Sequence, residues 1–251
     1  MKLRQVGWNR LPILVLCALL AMVALPPLAS AASPAVTISV PAIAGWVDSG
    51  IALSPGTHVT VTASGIGDCD GLTCPVDPNG IDPSTGTGYG DATPGFVAPG
   101  LPRFSLVARV GSGSPVFVGS GPTAISGIGE LYLAFNDNYY PDDTGGFTAT
   151  ATVWTVDGPF APVVKNGKGT GQFRAGSTIP VKFRLSEGGN PLTTATGTVS
   201  IGTATATFAW DATAQQYHAN VQTDKSASGS YPVILTVQGL GSVTIATVNV
   251  R

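Results

Sequence analysis

Three aspartates, Asp137, Asp142 and Asp143, stand within seven residues of one another. Carboxylates at that density can converge on one hard cation, and calcium takes about six to eight oxygen ligands. Aspartate and asparagine also favour turns that simply face water. The cluster therefore reads as a calcium site or as a solvated turn. A second acidic run, Asp68, Asp70, Asp77 and Asp82, lacks EF-hand spacing, since Gly71 falls at the fourth place instead of the sixth and no glutamate closes the loop. An irregular second cation site and a plain acidic loop both fit it.

Catalytic groupings find little support. His58 and His218 lie in separate alternating runs without a nucleophile partner, and no G-x-S-x-G elbow occurs. Asp142 and Asp143 could be imagined as the carboxylate pair of a glycosidase. Adjacent residues in a turn bounded by strands make better metal ligands than groups flanking a sugar. The expectation is a protein that is not an enzyme.

The elements that would position these residues are strands. Two-residue alternation dominates residues 36–40, 50–53, 58–64, 104–110, 115–119, 130–135 and 146–154. Leu131, Leu133 and Phe135 should share one face, as should Phe147, Ala149, Ala151 and Val153. About seven short strands with Gly, Pro and Asp turns describe a sandwich or jelly roll. Residues 66–103 interrupt the pattern, and so long an irregular stretch is expected to be functional or disordered. Alternation resumes at 181–185, 198–201, 205–210, 216–221, 231–237 and 243–250, with a change of phase between Ile245 and Val248 that predicts a bulge.

Residues 1–32 read as a signal peptide, with Lys2, Arg4 and Arg10 ahead of an apolar run at 11–25 and the small residues Ala29-Ser30-Ala31-Ala32. That run is shorter than the ~20 residues a stable membrane span needs. The chain is thus expected to be secreted or extracellular, with association to the cell surface left open. In an oxidising compartment Cys69 and Cys74 should form a short-range disulfide that fixes one loop.

Charge divides the remainder. Residues 33–157 hold eleven acids against Arg103 and Arg109, a balance of −9 without a single lysine, whereas residues 158–251 hold seven bases and three acids. The acidic part suits cations and excludes nucleic acid, whose phosphates need clustered Lys and Arg. The sign change and the pattern break at Gly158-Pro159-Phe160-Ala161-Pro162 place a first module at 33–156, a linker at 157–163 and a second module at 164–251.

The first module resembles the small calcium-dependent galactophilic lectins of the PA-IL type over residues 39–153. The resemblance runs through Gly45-Trp46-Val47-Asp48-Ser49-Gly50-Ile51, Val59-Thr60-Val61-Thr62-Ala63-Ser64-Gly65 and Leu106-Val107-Ala108-Arg109-Val110-Gly111. Its most specific part is Leu131-Tyr132-Leu133-Ala134-Phe135-Asn136-Asp137-Asn138, followed by Asp142-Asp143-Thr144-Gly145-Gly146-Phe147. It implies a jelly-roll lectin fold and one calcium ion in the loop between the last two strands, with two vicinal sugar hydroxyls completing the ion's shell. The implied ligands are Asp137, Asp142, Asp143 and the backbone carbonyl of Cys69. The turn Asn138-Tyr139-Tyr140-Pro141 is about two residues shorter than the family's, and the family's His-Pro-x-Gln sugar contact has no match in Gly90-Asp91-Ala92-Thr93-Pro94. Galactose specificity is therefore less well carried than metal binding. The candidate sugar contacts are Asp137, Asp142, Asp91, Tyr139 and Tyr140, the two tyrosines either stacking on a sugar or capping a core.

The second module resembles bacterial immunoglobulin-like domains, through Phe173-Arg174-Ala175-Gly176-Ser177-Thr178-Ile179-Pro180-Val181-Lys182-Phe183 and Trp210-Asp211-Ala212-Thr213-Ala214-Gln215-Gln216-Tyr217. The resemblance implies a spacer or binding scaffold. The whole chain reads as a calcium-dependent carbohydrate-binding protein, or as a structural adhesion protein whose calcium orders a loop. Single sugar sites bind weakly, so adhesion would need several copies through homo-oligomers or surface display.

Overall fold

The computed structural model describes residues 35–164 and 171–251. The expected signal peptide lies outside the described residues. Among the described residues no helix is long and apolar enough to cross a membrane, and these residues form an all-β fold with a single 3-10 turn at Tyr140–Asp142.

The first half supplies β1 (Val36–Pro41), β2 (Val47–Leu53), β3 (Thr57–Asp68), β4 (Pro75–Val76), β5 (Leu106–Val110), β6 (Val116–Phe117), β7 (Thr123–Ser126), β8 (Gly129–Phe135) and β9 (Thr144–Asp157). The second supplies β10 (Gly171–Phe173), β11 (Thr178–Glu187), β12 (Asn190–Pro191), β13 (Gly197–Ile201), β14 (Ala204–Thr207), β15 (Ala209–Asp211), β16 (Gln216–Gln222), β17 (Gly229–Val237) and β18 (Gly241–Val250).

One sheet runs β15-β16-β11-β9-β3-β4, with β1 and β7 joined to β9 and β3, and the other two have the orders β2-β8-β5-β6 and β10-β18-β17-β13-β14. The first core lies between the first two of these. Leu131, Leu133 and Phe135 of β8 are buried in one cluster with Phe147, Ala149 and Ala151 of β9, as alternation requires. The aromatic rings of Phe135 and Phe147 lie 5.4 Å apart.

Val153 continues that face, but the next residue belongs elsewhere. Trp154 is fully buried in a second cluster with Ile179, Val181, Phe183, Tyr217 and Leu235. Successive strand residues point to opposite faces, so β9 can serve one core with its odd positions and another with Trp154. Its pairing overlaps accordingly: β3 follows it as far as Thr57↔Thr155, and β11 already joins at Glu187↔Trp154.

Around Trp154 the two cores are tied together. Its indole Nε1 donates to the Thr60 hydroxyl at 2.9 Å, and that hydroxyl donates to the Leu240 carbonyl. His58, paired with Trp154 across the ladder, lies with its ring 4.8 Å from the indole.

Several expectations change in detail. The stretch 66–103 is neither one loop nor unstructured: β3 runs on to Asp68 because β9 partners it that far, β4 follows, and bridges at Ile81–Gly88 and Asp91–Pro102 fix the rest. The run 205–210 breaks at Phe208, where the chain crosses from the five-stranded sheet into the large one and buries the ring against Phe183 and Tyr217. The bulge falls at Ile245, skipped between Val233↔Ala246 and Ile234↔Thr244.

Replacing Thr60 by Val keeps the shape and removes the acceptor of the Trp154 indole. A buried donor without a partner costs about 1–3 kcal/mol. Urea denaturation of Thr60→Val should show a loss of that size.

Candidate metal centre

Two buried polar residues follow β8. Asn136 is completely buried, on the face opposite Phe135, and all its polar atoms are used. Its Oδ1 accepts from the Ala98 amide at 3.0 Å, while Nδ2 donates to the carbonyls of Ala98 at 3.2 Å and Pro102 at 2.9 Å. Its backbone pairs with Ser105 and Phe104. One amide thus fastens the 96–105 segment over β8.

Asp137 follows, also buried, with its carbonyl accepting from the Val97 amide at 3.2 Å and its Oδ1 from the Asn138 amide at 2.6 Å. Pro141 in the 3-10 turn fixes its own φ, and the Asp143 amide closes the turn on the Tyr140 carbonyl at 3.2 Å. This tight return brings Asp142 and Asp143 back to Asp137. One carboxylate oxygen from each lies within 4.8 Å of the others.

Asp143 is only 3 % exposed and neither of its oxygens has a hydrogen-bond partner, while Asp142 is open to solvent. Burial, and then the negative charge of Asp137, pushes the Asp143 carboxyl from an ordinary 3.8 up to about 8. The Tyr140 hydroxyl is likewise buried without a partner and is pushed up to about 12, by burial first and by Asp137 and Asp143 after it. Buried carboxylates crowded in this way are costly unless a proton or a cation neutralises them. Three hard oxygen donors with an unpartnered buried carboxylate among them fit calcium.

The disulfide loop presses on this turn from the side. Cys69 and Cys74 are joined, and the Cys69 amide donates to the Cys74 carbonyl at 3.1 Å. At its tip Gly71 has φ +77°, and a Cβ there would lie 2.7 Å from the Asp142 carbonyl oxygen. Only glycine permits that approach. Because Asp68 pairs with Thr144, the segment carrying Cys69 starts beside the first residue of β9, directly after Asp143.

The other acids are spent on turns. Asp70 accepts from the Thr73 hydroxyl and, through Oδ1, from the amides of Thr73, Leu72 and Cys74; the Thr73 hydroxyl first, and then the Thr73 and Leu72 amides, hold its carboxyl well below the usual carboxylate range. Asp77 receives the amides of Asn79 and Ile81, and Asp82 the amide and hydroxyl of Ser84. Among the described residues, the grouping with metal-ligand geometry is Asp137, Asp142 and Asp143.

The two tyrosines separate: Tyr139 is 59 % exposed, while Tyr140 turns its hydroxyl inward toward the carboxylates. Asp91 is exposed, with its carbonyl accepting from Arg103 Nε, on the segment whose Val97 amide meets Asp137. Sequence reasoning had no role for Asn136. Although it adjoins Asp137, its side-chain partners lie more than thirty residues away in the chain. The histidines stand apart in the fold, His58 in the junction against Trp154 and His218 on β16 opposite Lys182.

No protein-family model matches the chain, and no curated protein matches it. Among solved structures it is similar to one described as the EclA N-terminal domain, a PllA-like lectin. The two are 26 % identical, with 46 % of this chain and 92 % of that chain covered and a TM-score of 0.35.

Asn136→Ala leaves the Ala98 amide without a partner, at about 1–3 kcal/mol, while the Ala98 and Pro102 carbonyls lose one donor but keep Leu101 and Ser105. Chemical denaturation should register a loss of that size, with the 91–103 segment becoming sensitive to proteolysis. A second outcome follows from Asp143. Its folded value lies above its unfolded one, so metal-free stability is full below about pH 4 and falls as pH rises toward 8. Thermal melts in EDTA should show that decline, and Asp143→Asn should flatten it.

Proposed function

We propose that this protein binds carbohydrate through a calcium ion held by Asp137, Asp142, Asp143 and the Cys69 carbonyl, and that it is a binding protein and not an enzyme. The observation that carries the reading is the buried, unpartnered Asp143 carboxylate beside Asp137. The lectin-like residue pattern on either side of the turn supports it. Bound calcium supplies coordination positions for paired sugar hydroxyls.

The chain's own residues divide the remaining work. Asp142 is exposed and offers a carboxylate to a hydroxyl proton at the mouth of the site. Tyr139 presents a ring whose negative face suits the C–H side of a sugar. Tyr140, with its unpartnered hydroxyl turned in toward Asp137 and Asp143, closes the inner side of the site. Asp91, exposed on the segment whose Val97 amide meets Asp137, is assigned a sugar contact on the strength of the resemblance alone. We assign no specificity for galactose over other sugars with vicinal hydroxyls.

A second reading, a cation that only orders the loop, is favoured by the contact of Gly71 with the Asp142 carbonyl, since an ion there would staple the disulfide loop to the β8–β9 turn. In either case we take the protein to be exported, with the second sandwich as an immunoglobulin-like scaffold and adhesion depending on several copies.

Probing a glycan array with the mature chain in calcium and again in EDTA separates the two. Chelator-sensitive glycan binding that Asp137→Ala abolishes is the expected result. Calcium-dependent thermal stabilisation without any glycan signal would select the structural reading.

A further inference from the structure

β11 changes partners in mid-strand. Its pairing with β16 ends at Phe183↔Tyr217, and its pairing with β12 begins at Ser186↔Pro191. Arg184 and Leu185 lie between the two ladders. With Asp157, Pro191, Trp210 and Gln215 they line a cavity of about 300 Å³, a volume at the lower end of those that take small ligands.

The lining is chemically two-sided. Leu185, Pro191 and the indole of Trp210 make an apolar wall, and Trp210 is set edge-on to the buried Tyr217 ring at 5.1 Å. Against it stands a fixed polar pair. Arg184 Nε donates to the Gln215 carbonyl at 2.9 Å, Nη1 lies 3.3 Å from Asp157 Oδ2, and the guanidinium sits 5.0 Å from the Phe160 ring centre. The side chains of Arg184 and Asp157 are 50 % and 67 % exposed, so their pairing contributes little to stability. It does set a donor fork and an acceptor side by side at the cavity mouth. Gln215 is held at φ 51°, in a region that non-glycine residues rarely occupy.

We infer that the second sandwich has a carbohydrate-binding cavity of its own, walled by Trp210 and edged by Asp157 and Arg184. The paired charges cancel, which disfavours an ionic ligand. An apolar wall facing a joined donor and acceptor complements a neutral pyranose ring, which has a C–H face for the indole and neighbouring hydroxyls that both donate and accept. The acid cluster on the β8–β9 turn contributes no residue, so this recognition is independent of calcium.

The test uses the mature chain on an array of neutral glucose-, galactose-, mannose- and N-acetylglucosamine-terminated glycans, with EDTA present throughout. The expected result is EDTA-resistant binding that Trp210→Ala lowers about tenfold or more, the scale on which an aromatic anchor acts. Asp157→Asn, at an exposed position outside the core, should weaken it as well and decides the matter if Trp210→Ala does not fold. Absence of EDTA-resistant binding, or its persistence unchanged in both variants, overturns the inference. Failure of the calcium reading registers separately, as absence of a calcium-dependent signal.

Discussion

The antiparallel ladder between β3 and β9 pairs twelve residues on each strand, from Thr57↔Thr155 to Asp68↔Thr144. Its register fixes both ends of the molecule's working parts. At one end Thr144 follows Asp143, so the ladder sets where the acid turn returns and how near the disulfide loop after Asp68 lies to it. At the other end it sets His58 opposite Trp154 and turns the indole away from the first core. A slip of one residue would exchange the faces, putting Trp154 among Ala149 and Ala151 and drawing the acid turn out of line with Asp137. Cross-strand hydrogen bonds and two buried faces leave no cheap alternative.

Held at that end, the β8–β9 turn sustains an arrangement that free chains avoid. Asn136 and Asp143 are both buried, yet they contribute in opposite directions. Asn136 is bonded at every polar atom and clamps a long segment, so its burial stabilises. Asp143 has two unpartnered oxygens beside Asp137, and its burial costs stability unless a proton or cation is supplied. The hydrophobic clusters on both sides of β9 and the Asn136 clamp offset that cost. Local disagreement of this kind, within a fold otherwise consistent from pattern to packing, is expected at functional or strained sites.

The second sandwich departs from regularity in another way. There the irregularity is geometric: β11 hands over from β16 to β12, and the gap exposes part of Trp210 beside a neutral ion pair. The two sandwiches thus present different surface chemistry along one continuous sheet. The turn after β8 concentrates negative charge, and the gap beside β11 offers shape, an aromatic surface and hydrogen-bonding groups.

Much of this was legible in the chain. Alternation placed the long strands and named Leu131, Leu133 and Phe135 as core, because a two-residue period leaves little choice of face. Asp137, Asp142 and Asp143 were visible as a group because seven residues with a proline turn cannot separate far, and Cys69 and Cys74 are near neighbours for the same reason. What the tertiary structure alone decided are the encounters between distant segments: Asn136 with Ala98 and Pro102, Gly71 with Asp142, Trp154 with Thr60 and the second core, Trp210 with Arg184 and Pro191. Short strands such as β7, β10 and β12 have too few residues to show a period. Local spacing determines which side chains can share a turn, but burial and partner choice arise from pairing across many tens of residues, and only the folded ladder fixes that pairing.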